Sequence, residues 1–472
     1  MKRIPLWIAC ALVQLPSSAE AQRVAVEAKN GMVASVHVLA SEAGVTIMRQ
    51  GGNAVDAAVA TGLALSVVYP FAGNISGGGF MIIHTRDGRD VAIDFRETAP
   101  AAATRDMYVG SDGKLKNGPG SSIEGWKASG VPGTIAGFAL AVKRYGSGKV
   151  SWVEICEPAR RLAVDGHAVS QGTAASFKTW AEWLSREAES KRIFLKDGAY
   201  WQAGDTFVHR DLGATFARMQ QQGPREFYEG ETAHRIADAM AAHGGVITLE
   251  DLKNYRAKER QVLRGQYRGY EIVTTPPPSS GGIALLQMLG MLETTDIRSL
   301  GQDSAAKYHL FVEVMKRAFR DRAEYGADPE FVRIPLTELL APAYVHHRIA
   351  DFSEDHATPS DRIAPGLGTF VVRPPAESSE TTHISTADGQ GNVVSTTYTL
   401  NGAYGSGVTI PGTGILMNNQ MDDFTTQLGA SNLYGLQQGE ANSIAPGKRP
   451  TSSMTPTIVL KDGTFVLATG SP

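Results

Sequence analysis

The spacing of apolar positions changes period several times along this chain. Met32 to Leu39 alternates with period two, as a half-buried strand does. Ser41 then reads as the cap of a helix running to about Gln50, stopped by Gly51-Gly52. Asn53 caps a second helix, Ala54 to about Val68, which is apolar or small nearly all round and so predicts burial; Asp56 and its modest length argue against a membrane span. Met81 to His84 and Val91 to Phe95 predict two strands around an Asp87-Gly88 turn. Helices are expected from Thr134 to Tyr145, after a Ser151/Glu154 capping box, and over most of 170–265, where Thr248 and Asp251 form another box. Pro276 to Gly282 is a rigid loop before a helix from Ile283 to Glu293. A long helix, Ser304 to Tyr325, follows, with its charged residues expected on the exposed face. Residues 351–379 are rich in Pro, Ser, Asp and Gly and predict an exposed, mobile loop.

Thr381 to Asp388 and Val393 to Asn401 are β-rich runs flanking Gly389-Gln390-Gly391-Asn392, a hairpin signal. Hydroxyls at 381, 382, 385 and 386 are dense for a core strand. Thr399 and Asn401 share one strand face at period two. Taken alone, a Thr-rich hairpin needs no function, because Thr favours strands. A threonine becomes a nucleophile when a base removes its proton, and its own α-amino group can be that base once the preceding peptide bond is cut. Downstream, Ile415 to Asn418 predicts a strand, and a last hairpin, Thr457 to Leu460 and Thr464 to Thr469, turns at Asp462-Gly463.

Length and charge narrow the picture. The chain has 472 residues, suited to one large α/β domain or two coupled halves. Its net charge of −3, with no basic block, leaves no footprint for nucleic-acid binding. Lys2-Arg3, the apolar stretch Ile4 to Leu15 and Ala19-Glu20-Ala21 read as a signal peptide over 1–21, cleaved after Ala21, so an exported, periplasmic or secreted protein is expected. The two cysteines are Cys10 and Cys156; with the signal removed, no intrachain disulfide forms, and Cys156 reads as core. Gly77-Gly78-Gly79 lacks dinucleotide spacing, Ser280 lacks a G-x-S-x-G elbow, and His346-His347 lacks the E-x-x-H spacing of a zinc helix. No cofactor or metal is expected.

The strings Thr381-Thr382-His383 to Asn401, Asn418 to Phe424 and Lys448 to Met454 closely resemble the γ-glutamyltranspeptidase family of N-terminal-nucleophile hydrolases. The resemblance runs from about residue 24 onward and includes Gly51 to Ala58 and Asp94 to Pro100. It implies an α/β (α+β) fold, the four-layer αββα sandwich of those hydrolases. It further implies autocleavage between Glu380 and Thr381 into a large subunit, 22–380, and a small one from 381. Thr381 is then the nucleophile and Thr399 orients it. Asn401, Gln420 and Asp423 hold the substrate's α-amino group; Arg96, Ser452 and Ser453 hold its α-carboxylate; Tyr434 closes a lid over 428–439. A guanidinium fork suits a carboxylate and a carboxylate suits an ammonium. The substrates implied are glutathione and other γ-glutamyl compounds, with water, amino acids or dipeptides as acceptors. In the family two glycines follow the Gly470-Ser471-Pro472 string and form the oxyanion hole, so a C-terminally truncated sandwich is expected here. A related acylase acting on a β-lactam side chain and an inactive exported amino-acid-binding relative are the alternatives. A Thr381→Ala variant distinguishes enzyme from binder.

Overall fold

The computed structural model describes residues 25–196, 198–367 and 381–471. The expected signal peptide and Glu380 lie outside them. The first strand, β1 (Gly31–Ser35), is followed by α1 (Val38–Arg49) and α2 (Ala54–Val68). Strands β2 (Gly78–His84) and β3 (Asp90–Asp94) come next, then α3 (Thr134–Tyr145) and α4 (Trp152–Val164). After a run of shorter helices between 171 and 254 come β4 (Lys258–Arg260), β5 (Leu263–Tyr267) and β6 (Tyr270–Thr274). Helices α5 (Gly281–Glu293) and α6 (Ala305–Tyr325) precede the central hairpin, β7 (Thr382–Asp388) and β8 (Val393–Thr399). The last hairpin is β9 (Thr457–Lys461) and β10 (Thr464–Thr469).

Two antiparallel sheets face each other. One has six strands in the order β1-β7-β8-β2-β3-β4, the other four in the order β10-β9-β6-β5. Alternation along β2 explains the layering. Met81 and Ile83 join a core with Leu63 and Val59 of α2 and Phe138 of α3, whereas Ile82 joins Val273, Ile458 and Leu460 between the sheets. On the far side α5 packs against β5, where Gly265 leaves room for Leu286, and α6 packs on α5. The result is helices, sheet, sheet, helices, the expected four-layer sandwich.

The dense hydroxyls of the central hairpin now have an account. Positions 383, 385, 395 and 397 point toward the second sheet. Ser385 Oγ donates to the Ala468 carbonyl at 3.1 Å and Ser395 Oγ to that of Thr469 at 2.9 Å. His383 is held between the hydroxyls of Thr397 (2.8 Å) and Ser385 (2.9 Å), and burial pushes its pKa down to about 4. This end of the inter-sheet layer is therefore polar and fully hydrogen-bonded where the other end is aliphatic.

Several expectations need correction. His37, not Ser41, caps α1: its Nδ1 accepts from Leu39 N at 3.3 Å, and the preceding strand stops at Ser35. The stretch 170–265 is helical only to Asn254. The strand expected at 415–418 covers Ile415–Leu416. The charged residues of α6 are not all on an exposed face: Glu313, Arg317, Arg320, Asp321 and Arg322 are buried. The caps at Asn53, Ser151 and Thr248 form as full capping boxes. Cys156 is a buried residue of α4 whose thiol pKa is raised by burial. Among the described residues no helix is long and apolar enough to cross a membrane.

Candidate active site

Hairpin register brings the two threonines together. Tyr398 pairs with Thr382 across the β7–β8 ladder, so one residue further Thr399 lies opposite Thr381. Thr381 Oγ1 donates to Thr399 Oγ1 at 3.4 Å. Thr399 Oγ1 also accepts from Asn401 N at 2.9 Å. Asn401 sits at φ 79°, the left-handed region that Asn tolerates, which turns the chain sharply after the strand.

The two hydroxyls open onto a cavity of about 280 Å³ whose walls include Arg96, Asn401, Asp423, Tyr434, Ser452 and Ser453. Seven of the predicted binding or lid residues are Arg96, Asn401, Gln420, Asp423, Tyr434, Ser452 and Ser453; all but Gln420 line it. Gln420 is fully buried behind Asp423 and donates to it from Nε2 at 2.6 Å. Asn401 uses its side-chain amide on the Asn419 carbonyl at 3.1 Å.

Arg96 follows β3 and is 1% exposed. Its Nη2 donates to Asp423 and to the Thr451 carbonyl, and its Nε to the Pro450 carbonyl at 3.2 Å. The two charges expected to read opposite ends of a zwitterion touch each other. Beside them Glu97 is fully buried, its Oε2 3.7 Å from Arg96 Nη1. Burial dominates over the neighbouring guanidinium and raises its pKa to about 8.

Asn432 was not singled out in sequence, yet it organises the segment expected to form the lid. Its Oδ1 accepts from Tyr434 N (3.1 Å) and Leu436 N (2.9 Å), and its Nδ2 donates to Asp423 Oδ1 at 3.1 Å. Asp422 accepts from Leu433 N at 2.7 Å and from Ser122 Oγ at 2.6 Å; burial lifts its pKa to about 6 against those two bonds. Tyr434 donates its hydroxyl to the Asn401 carbonyl, closing the segment over the threonines. The Asn-x-x-Gly spacing of Asn432 and Gly435 was the available signal for this turn.

Ser452 is positioned by the Pro276 to Gly282 loop: its carbonyl accepts from Ser280 N (2.9 Å) and Ser280 Oγ (2.7 Å). Ser453 Oγ accepts from Arg322 Nε at 3.0 Å, a contact that sequence reasoning missed because Arg322 lies on a distant helix. Among the described residues no group of three His, Cys, Asp or Glu could hold a metal ion.

Two facing sheets between two helix layers, with a threonine at the head of a central strand and its hydroxyl in a cavity, define the sandwich class of N-terminal-nucleophile hydrolases. Residues 40–472 match the family model described as gamma-glutamyltranspeptidase, and the chain belongs to that family. It is 47% identical over 448 residues to a glutathione hydrolase proenzyme of Escherichia coli strain K12, covering 95% of this chain and 76% of that one. It is also similar to the solved Helicobacter pylori gamma-glutamyltranspeptidase (TM-score 0.71, 41% identity, 74% of this chain and 99% of that one). A cephalosporin acylase from Bacillus halodurans shares the fold at TM-score 0.82 and 27% identity, over 98% of this chain and 80% of its own.

Proposed function

We propose that this chain is an autoprocessing γ-glutamyltransferase and glutathione hydrolase in which Thr381 is the nucleophile. The observation that carries the reading is a single cavity with paired threonine hydroxyls at one end and one acidic and one basic anchor at the other. A γ-glutamyl group has that shape: an electrophilic γ-carbonyl at one end and a zwitterionic amino-acid head at the other. The Arg96–Asp423 contact opens to receive the head, Asp423 taking the ammonium, with Asn401 beside it and Gln420 orienting it from behind. Arg96, Ser452 and Ser453 take the carboxylate.

In maturation, Thr381 Oγ attacks the carbonyl of Glu380, and the acyl group moves from nitrogen to oxygen. That shift frees the α-amino group of Thr381; water then hydrolyses the ester, releasing the Glu380 carboxylate and the Thr381 hydroxyl and leaving subunits 22–380 and 381 onward as a heterodimer. That amine, with an ordinary pKa of ~7.7–8.0, serves as general base near neutral pH. In turnover Thr381 Oγ, oriented by Thr399, attacks the γ-carbonyl; the amine leaves with a proton, and the ester passes its acyl group to water, an amino acid or a dipeptide. The lid at Tyr434 excludes water while the ester forms. The reading includes export of the protein before it matures.

Intact mass and N-terminal sequencing test this directly. Two chains, one beginning at Thr381, and their absence together with turnover in Thr381→Ala, are expected. A single active chain overturns the nucleophile assignment. The acylase reading is tested by comparing kcat/KM for glutathione with that for a glutaryl amide, which lacks the α-ammonium; preference for the glutaryl compound overturns the γ-glutamyl reading.

A further inference from the structure

The carboxylate end of the cavity holds a second guanidinium. Arg322 projects from α6 in the outer helix layer, is 6% exposed, and lines the same cavity as Arg96 and Thr381. Its Nε donates to Ser453 Oγ at 3.0 Å. A hydroxyl whose oxygen is already accepting keeps its hydrogen to donate onward. Ser453 is itself exposed, so that hydrogen can be offered to a ligand in the cavity.

Arg96 is differently placed. Its Nε and Nη2 are turned to the carbonyls of Pro450 and Thr451 and to Asp423. Its Nη1 is buried with no hydrogen-bond partner among the described residues and faces Glu97. Much of its charge is thus offset by Asp423, the group assigned to the ammonium.

We propose that Arg322 is a specificity-determining residue for the α-carboxylate. It fixes Ser453 with its hydroxyl hydrogen directed into the cavity. The inference rests on the γ-glutamyl reading above. It implies that the large piece supplies carboxylate recognition from two separated places, the end of β3 and the last turn of α6.

The test uses two substrates of the matured enzyme: γ-glutamyl-p-nitroanilide and its counterpart with the α-carboxylate replaced by a carboxamide. Wild type prefers the acid. Arg322→Gln raises KM for the acid roughly tenfold to a hundredfold, the scale of one lost charge-assisted hydrogen bond, with a much smaller change in kcat. Its kcat/KM for the amide stays close to wild type, so the preference collapses, and Arg322→Lys recovers part of it. Ser453→Ala moves the preference in the same direction, and its effect is not additive with that of Arg322→Gln. Retention of the wild-type acid preference by Arg322→Gln, or an equal loss on both substrates, overturns the proposal while leaving the γ-glutamyl reading intact. No acid preference in wild type overturns that reading first, and the role of Arg322 with it.

Discussion

Helices α2 and α6 belong to opposite outer layers of the sandwich, and they are buried by opposite chemistry. All fifteen residues of α2 are buried, and its one charge, Asp56, caps its own N-terminus. The buried residues of α6 include Leu310, Val314 and Ala318 but also Glu313, Arg317, Arg320, Asp321 and Arg322. Glu313 accepts from Lys316 Nζ and Arg317 Nη1 at 2.6 Å each, and Arg317 Nη2 reaches Asp351 at 2.6 Å. Asp321 accepts from Tyr344 Oη at 2.7 Å and Gln287 Nε2 at 3.1 Å. An apolar helix fills a layer through shape alone. A charged one is tied to named partners, and one of its side chains, Arg322, reaches the cavity.

Substitutions sharpen that contrast. The largest stability loss is expected in α2: Leu63→Ala, at a fully buried site in the core, costs about 4 kcal/mol, toward the upper end of cavity-forming changes. Arg317→Met costs about 3 kcal/mol, the low end for breaking a buried pair, because Lys316 still serves Glu313. Both are read as a lowered urea midpoint. The Glu313 carboxyl adds a pH signature: burial alone would raise its pKa, but hydrogen bonds from Lys316, Arg317 and Thr358 outweigh it and hold it at about 2. A depressed carboxylate stabilises above its unfolded pKa and loses that contribution as pH falls, so Glu313→Gln should flatten the loss of stability between about pH 4.5 and 2. Gly44→Ala places a methyl 2.3 Å from Thr61 Oγ1 and 2.9 Å from the Ala57 carbonyl where α1 crosses α2. The clash, about 2 kcal/mol, outweighs about 1 kcal/mol gained in helix propensity, for a net loss near 1 kcal/mol. Smallest is Arg161→Ala, which breaks an exposed pair with Asp165 and should change stability by less than about 0.5 kcal/mol. A loss comparable to Arg317→Met there would erase the distinction between paired burial and surface pairing.

The same contrast explains what was legible in the residues. Helix α2 was readable from its apolar run and Asn53, because each signal lies within the element. Both outer hairpins were readable from turn chemistry at Asp87-Gly88 and Asp462-Gly463. The burial of charge on α6 was not, since several of its partners, the charge of Asp351 and the hydrogen-bonding groups of Gln287, Tyr344 and Thr358, lie outside the helix. The site divides likewise. Local spacing put Thr399 and Asn401 on one strand face, but Arg96, Asp423, Ser452 and Ser453 entered only through family resemblance. Asn432 and Arg322 were missed, one because its role is to fold a loop, the other because its partner is 131 residues away.

The strand order of the large sheet has one more consequence. Residues from either side of position 381 are interleaved in it: β7 and β8 lie between β1 and β2, with hydrogen-bonded ladders on both flanks. The smaller sheet mixes them again, β9 against β6. The hydrolysis proposed ahead of Thr381 would therefore sever covalent continuity without creating a separable interface. The two polypeptides would be interlocked, migrating as one particle in gel filtration and exchanging no faster than the protein globally unfolds.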